Sequence, residues 1–416
     1  MKIGELAELF SVSRDTIRYY INEGLLVPQT GTQYDFGPRE VEELQLILRM
    51  KEQQFSLQKI AEMLTLRRTS NMVEPATISS CIELLENKRL ELQGQIEQLQ
   101  RAADSIIADE QKLSSQVRSP NVHLGVPLKA LELLVCPRCG SQFELRDASL
   151  SAKYVFSGRL CCACGYEITV ENGIVRTGNL YTGGHDAPDL GRDLYRDIGE
   201  EFVACTQKAQ DMLIRDLSAM DLRNKVVMET HINAYFFAYR HMKAFPGGCL
   251  YVVTDKYPEM LEMYKNLIEM LNEDRDILFI ADNSAELPLR KNSVDLLIDS
   301  MSDNEHSLYS KVPYIEMVKP YLKPDAPIIG MFIGFKGSTL SQKQIHQKYP
   351  EGAFPLFSLE QLPVLYRNSG YDLETHVAGT MAKTKKVGKF IFECHVDGEI
   401  LYLVSLKATP AGGGAQ

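Results

Sequence analysis

Val12-Ser-Arg-Asp-Thr-Ile-Arg-Tyr-Tyr-Ile-Asn-Glu-Gly-Leu-Leu26 decides how the first part of the chain is read. Ahead of it, Ile3, Leu6, Ala7, Leu9 and Phe10 set apolar side chains at helical spacing, and Ser11-Val12-Ser13 then breaks that pattern with an N-cap residue before Arg14. Two short helices joined by a tight turn make a helix-turn-helix. In its second helix Ile17, Tyr20 and Ile21 supply the packing face. Ser13, Arg14, Thr16, Arg18 and Tyr19 are left to meet phosphates and base edges in a major groove. Gly24 ends the helix. Gln33-Tyr-Asp-Phe-Gly-Pro38 makes a short wing that presents Tyr34, and a second helix pair is expected over Arg39 to Met50 and Ser56 to Leu66, the latter carrying Lys59.

Residues 1–70 resemble the winged helix-turn-helix of the MerR family of transcriptional regulators. The matching pieces are the opening Lys-Ile-Gly-Glu-Leu-Ala, the Thr-Ile-Arg-Tyr-Tyr core, the Glu-Gly-Leu-Leu turn and Phe55-Ser-Leu-Gln-Lys-Ile60. Asp35 follows Tyr34 where many members of the family carry an arginine.

The chain has 416 residues, 44% of them hydrophobic and 24% charged, enough for two or three units with proper cores. It contains no run of about eighteen apolar residues, and its N-terminus enters a helix at once, so the expectation is a cytoplasmic protein with neither membrane span nor signal peptide. A net charge of −10 argues against nonspecific coating of nucleic acid. Residues 1–70 carry nine Lys or Arg against ten Asp or Glu, so DNA binding there depends on where Arg14, Arg18, Lys59, Arg67 and Arg68 point.

From Ile78 the apolar positions Ile82, Leu85, Leu92, Ile96, Leu99, Ala103, Ile106, Leu113 and Val117 follow at steps of three and four, with Arg89 and Glu110 in the interrupted sites. That heptad seam over residues 76–118 predicts a dimerisation helix. The MerR resemblance implies an antiparallel coiled coil between two subunits.

After a Pro- and Gly-containing break, Cys136-Pro-Arg-Cys139-Gly and Cys161-Cys-Ala-Cys164-Gly form two knuckles in residues 128–176. Cys136, Cys139, Cys161 and Cys164 at this spacing predict a four-thiolate zinc ribbon, with Cys162 as a spare able to displace Cys161 or Cys164. A redox CxxC is the rival, but one pair would suffice for it. Closed four-thiolate zinc is structural and leaves no open position for catalysis. The run resembles the ribbons that precede certain methyltransferase domains.

Residues 189–408 alternate strands and helices, with buried strands expected at Val226–Glu229, Leu250–Asp255, Ile277–Asp282, Val294–Asp299 and Pro327–Ile333, and a closing hairpin from Lys389–His395 and Ile400–Leu406. This stretch resembles the Rossmann-like, seven-stranded fold of class I S-adenosylmethionine-dependent methyltransferases. The residues that carry the likeness are Asp255-Lys-Tyr-Pro-Glu-Met-Leu261, Ala281-Asp-Asn-Ser-Ala-Glu-Leu-Pro-Leu289, Asn292-Ser-Val-Asp-Leu-Leu-Ile298, Val318-Lys-Pro-Tyr-Leu-Lys-Pro324 and Phe357-Ser-Leu-Glu-Gln-Leu-Pro363. The resemblance implies a cofactor site with Glu229 at the end of the first strand, Asp255 on the ribose and Asp282 and Asn283 at the adenine edge; His231, in a loop at the carboxyl edge of the sheet, reads either as a ligand contact or base or as a satisfied structural histidine. Where that family has an acid followed by Gly-x-Gly-x-Gly, this chain has Glu229-Thr-His-Ile-Asn-Ala234. Those glycines let backbone approach the cofactor at positive φ, which bulky Ile232 does not imitate. Asp299–Glu305 reads either as an acceptor-side loop or as an acidic surface turn, 177–191 as a linker or lid, and 409–416 as a frayed tail.

The combined expectation is a multidomain α+β and α/β protein: a homodimeric MerR-like regulator of promoter DNA and RNA polymerase whose degenerate methyltransferase-like domain senses a small-molecule effector. Zinc, and S-adenosylmethionine or a related nucleoside, are its expected cofactors. No catalytic residue is assigned. The alternative is an active methyltransferase that also binds its own promoter.

Overall fold

The structure is a computed structural model describing residues 1–29, 34–115, 120, 122–184, 186–192, 198–246, 248–272, 274–283, 286–352, 357–384 and 390–412. The chain forms two compact units, Met1–Val117 and Arg118–Gln416.

In the first unit, α1 (Ile3–Leu9), α2 (Arg14–Asn22), α3 (Pro38–Glu52) and α4 (Leu57–Thr69) enclose one core of Leu6, Ile17, Tyr20, Leu44, Ile47, Phe55 and Ile60. Each boundary has a local cause. The Ser13 hydroxyl accepts the Thr16 amide at 3.0 Å to start α2, and the Ser56 hydroxyl accepts the Lys59 amide to start α4. Gly24 supplies the left-handed residue past the end of α2, at φ +70°. The long helix α5 (Pro75–Ser114, 40 residues) is about 60 Å long at 1.5 Å per residue. Its first turns contribute Cys81 and Leu84 to the same core, while Ile82, Leu85, Ile96, Leu99, Ile106 and Leu113 are exposed. Val117, the last seam position, lies outside the described residues, as does Gln33 of the wing.

Among the described residues, the second unit is built on a twelve-stranded sheet. Its central strands β5 (Ile174–Arg176), β8 (Asp276–Ala281), β7 (Leu250–Asp255), β6 (Val226–Thr230), β9 (Leu296–Ser300) and β10 (Ile328–Gly334) run parallel in that order. A final strand, β12 (Leu401–Pro410), inserts antiparallel between β10 and the edge strand β11 (Tyr371–Met381). Strands buried on both faces read as unbroken apolar runs, and all of β7 is buried. Alternation along β8 sends Ile277 and Phe279 to one hydrophobic cluster and Leu278 and Ile280 to the other. This is the methyltransferase-like sheet anticipated from the sequence.

Two features depart from the expected organisation. The ribbon strands β1 (Val126–Pro127), β2 (Glu144–Leu150), β3 (Tyr154–Cys161) and β4 (Glu167–Glu171) continue the main sheet through β5, which pairs with β8 from Ile174↔Phe279 to Arg176↔Ala281. Leu160, Ile168 and Val170 of the ribbon share a core with Leu278 and Ile280. The closing hairpin also differs: Phe390–Cys394 is a 3-10 turn, and the partner of β12 is the earlier β11, with Lys389 outside the described residues. As an edge strand, β11 carries polar exposed positions, so its sequence signal is weak.

Candidate functional site

Four thiols converge in the ribbon. Cys136, Cys139, Cys162 and Cys164 lie with their sulfurs within 4.8 Å of one another, Cys136 to Cys164 at 3.5 Å and Cys139 to Cys162 at 3.4 Å. A tetrahedron with zinc–sulfur bonds of about 2.3 Å has sulfur–sulfur edges near 3.8 Å, so this donor set fits the ion. The expected ligand Cys161 is outside the cluster and Cys162 takes its place. Cys161 is the last residue of β3, paired with Glu144 and Glu167, and its sulfur faces Glu167 at 3.4 Å. Successive strand residues point to opposite faces, so only Cys162 opens the turn in which it accepts the Gly165 amide. Hydrogen bonds from Ser141 lower the Cys139 thiol to about 6, easing formation of a thiolate ligand.

A cleft of about 230 Å³ opens at the carboxyl ends of β7 and β8, lined among others by His231, Thr254, Asp255, Lys256, Asp282, Asn283 and His306. Four of the five expected cofactor residues therefore meet in one place. Asp255 accepts the Tyr257 amide on one oxygen and the Asn233 amide on the other, at 2.8 and 2.9 Å, and burial raises its carboxyl to about 6. Asp282 accepts from Thr177 and from Asn179, and the Asn283 amide donates to the Asn179 carbonyl. The segment leaving β5 thus closes over Asp282.

Glu229 is the exception. Its carboxylate lies outside the cleft lining, fully buried, accepting the Phe237 and Ala238 amides at 2.7 and 3.1 Å and the Tyr251 hydroxyl at 2.9 Å. It caps the helix Phe237–Arg240, and burial pushes it up to about 8. Without glycines, the loop after β6 finds another way round the turn. His231 itself takes the left-handed conformation at φ +54°, its amide donates to the Thr254 carbonyl, and Ile232 is fully buried. Phe236 and Phe237 are core residues.

Five contributors to the cleft region had no sequence signal strong enough to single them out: Tyr181, Asp186, Lys256, Glu305 and Tyr309. The Lys256 ammonium bridges Asp186 at 2.8 Å and Glu305 at 2.9 Å. Asp299–Glu305 is thus no surface turn: Asp299, Asn304 and Glu305 are buried, and burial raises Asp299 and Glu305 to about 7. His306 donates through Nε2 to the Val312 carbonyl, and burial lowers it to about 4. The His231 ring packs edge-on against His306 and Tyr314, and burial holds it well below the usual histidine range. Both imidazoles are neutral at pH 7.

In the first unit, α2 leaves Arg14, Arg18 and Tyr19 exposed, and Tyr34 is exposed on the wing. Arg18 rests on Asp15 at 2.8 Å and Lys59 on Glu62 at 2.7 Å, exposed pairs that phosphates can displace cheaply. Ser13 and Thr16 are engaged with each other at the helix start. Arg68, one of the candidate phosphate contacts, instead bonds Glu43 and the Leu25 carbonyl and ties α4 to the turn after α2. Asp35, in the place of the family's arginine, accepts from the Met1 ammonium at 2.9 Å, and its backbone forms isolated antiparallel β-bridges with Lys2 and with Gln29.

Residues 1–66 match the family described as MerR HTH family regulatory protein, and residues 41–108 that described as MerR, DNA binding. The N-terminal region is a MerR DNA-binding head. No curated protein matches the chain. Among solved structures, a MerR family transcriptional regulator of Listeria monocytogenes is 26% identical over 27% of this chain and 86% of its own, at a TM-score of 0.23. A SAM dependent methyltransferase of Aquifex aeolicus is 14% identical over 54% of this chain and 99% of its own, at a TM-score of 0.35. Phosphoethanolamine N-methyltransferase 2 of Haemonchus contortus is 14% identical over 49% of this chain and 52% of its own, at 0.33. In the MerR head, the exposed face of α2 carries Arg14, Arg18 and Tyr19.

Proposed function

We propose that the protein is a homodimeric cytoplasmic transcription regulator that binds promoter DNA through α2, the wing and Lys59, and that its methyltransferase-like unit senses a small effector. The observation that carries the sensing reading is the closed loop after β6. Ile232 fills it, Glu229 is consumed by a helix cap, and the Asn233 amide occupies an oxygen of Asp255. A cofactor tail that needs glycine backbone beside it finds side chains instead. The exposed seam of α5 supports a coiled-coil dimer, and the four thiols support a structural zinc ion. Two heads on one DNA face would distort promoter DNA for RNA polymerase at a cost of about 1–6 kcal/mol, which differential effector affinity must match.

The test is calorimetric titration of S-adenosylmethionine and S-adenosylhomocysteine, beside Asp255→Ala, with operator affinity read in parallel. Failure of every nucleoside tried to change operator affinity would count against nucleoside sensing. The Arg18→Ala, Tyr19→Ala double variant should lose operator binding while staying dimeric; undiminished affinity would overturn the head assignment. A second reading, a working methyltransferase that binds its own promoter, is favoured by Asp255, Asp282 and Asn283 still lining one cleft. Methyl transfer from bound S-adenosylmethionine would establish it.

A further inference from the structure

The end of β7 holds a cation in a container built for cations. Lys256 Nζ sits 3.7 Å from the ring centroid of Tyr309, 4.8 Å from that of Tyr181 and 5.3 Å from that of Tyr257. Tyr181 stands edge-on to both other rings, at 5.8 and 5.4 Å. Asp186 and Glu305 close the remaining sides, and the lysine is 5% exposed. Three aromatic faces with carboxylates between them form the recognised host for an ammonium group, since ring quadrupoles attract a cation without the desolvation cost of further charges.

The container surrounds a single ammonium with two carboxyl groups. One ammonium serves Asp186 and Glu305, while Asp255 and Asp282 line the adjoining cleft and the two histidines facing it, His231 and His306, are neutral. A purely structural role would be met as well by apolar residues of similar volume, because burying an ion pair seldom stabilises a fold on balance. Lysine has a flexible four-carbon stem, and Lys256, Tyr181 and Tyr309 all line the cleft. The ammonium can therefore turn out of the cage into that space.

We propose that the Tyr181, Tyr257, Tyr309 cage with Asp186 and Glu305 is a receptor site for a small organic cation bearing an amine or quaternary ammonium, and that Lys256 is its internal competing occupant. This rests on the sensing reading and names the ligand class. The consequence for signalling is geometric. Asp186 belongs to the segment that leaves β5 of the zinc ribbon, so a ligand that expels Lys256 exchanges the bond holding that segment to Glu305.

The experiment uses full-length protein and two probes of equal shape, choline and its neutral isostere 3,3-dimethylbutan-1-ol, titrated by calorimetry. Lys256→Ala, which empties the cage, should bind choline at least tenfold tighter than the isostere and at least tenfold tighter than the wild type does. Adding Tyr309→Leu should erase the preference for the cation. Equal affinity for the two probes in Lys256→Ala, or heat from neither, overturns the proposal. If Lys256→Ala does not fold, the same comparison in Lys256→Gln decides by the same criteria. Operator affinity with and without choline separates the two levels. Choline binding that leaves operator affinity unchanged upholds the cage and refutes sensing through it, whereas absent choline binding beside a nucleoside response refutes the cage alone.

Discussion

Replacing Cys162 with serine should weaken zinc binding, and replacing Cys161 should not. The structure puts the Cys162 sulfur 3.4 Å from that of Cys139 and inside the four-thiol cluster, while Cys161 faces Glu167. Structural zinc in small four-ligand sites binds with roughly 10–16 kcal/mol of apparent free energy, and one ligand in four carries about 2.5–4 kcal/mol of it. At about 1.4 kcal/mol per tenfold, Cys162→Ser should weaken zinc binding on the order of 100- to 1000-fold. The unit should nevertheless stay folded, because Leu160, Ile168, Val170 and Val175 share a core with the main sheet. Zinc competition against a chromophoric chelator reads the affinity, and circular dichroism melting reads the fold. Equal loss in Cys161→Ser, or unchanged affinity in Cys162→Ser, would refute the assignment. Global unfolding on zinc removal would refute the shared-core argument.

Leu99→Asp in α5 should convert dimer to monomer in sedimentation equilibrium, since one seam leucine contributes about 1.5–3 kcal/mol per chain when buried; an unchanged mass would refute the seam. Glu229 is raised to about 8 in the fold from an ordinary 4.5, so the folded state binds the proton more tightly than the unfolded state does. Its contribution is fully present below about pH 4.5 and is lost as pH rises through about 8, a ceiling of about 5 kcal/mol at about 1.4 kcal/mol per pH unit. Denaturant unfolding of the full chain between pH 5 and 8 should therefore show stability falling with pH, and Glu229→Gln should flatten that slope; an identical slope in the variant would contradict it. His231→Gly with Asn233→Gly places two residues able to adopt positive φ in the loop, and S-adenosylhomocysteine should then bind at least tenfold tighter by calorimetry; unchanged affinity would refute the view that the missing glycines close the site.

The MerR head was legible because its signals are local. An N-cap serine, a left-handed glycine and a 3.6-residue apolar stripe specify each helix within a few residues of chain, and α2 lies within one residue of its expected start. The central strands were legible for a similar reason: strands buried on both faces need apolar runs that stand out in any sequence. The edge strand β11 was not, because half of its residues face solvent and its identity depends on the partner it finds.

The site residues divide along the same line. The CxxC spacing by itself determined that cysteines would gather, and the resemblance to methyltransferases implied that Asp255 and Asp282 would share a cleft. Only the tertiary structure decided that Cys162 rather than Cys161 enters the cluster, because strand pairing sets which face each thiol takes. It likewise decided that Glu229 caps a helix, that the four-cysteine ribbon extends the main sheet, and that Asp186 and Glu305, 119 residues apart in number, grip one lysine. Such pairings are fixed by burial and by charges brought together across distant elements, and a window of neighbouring residues does not contain them.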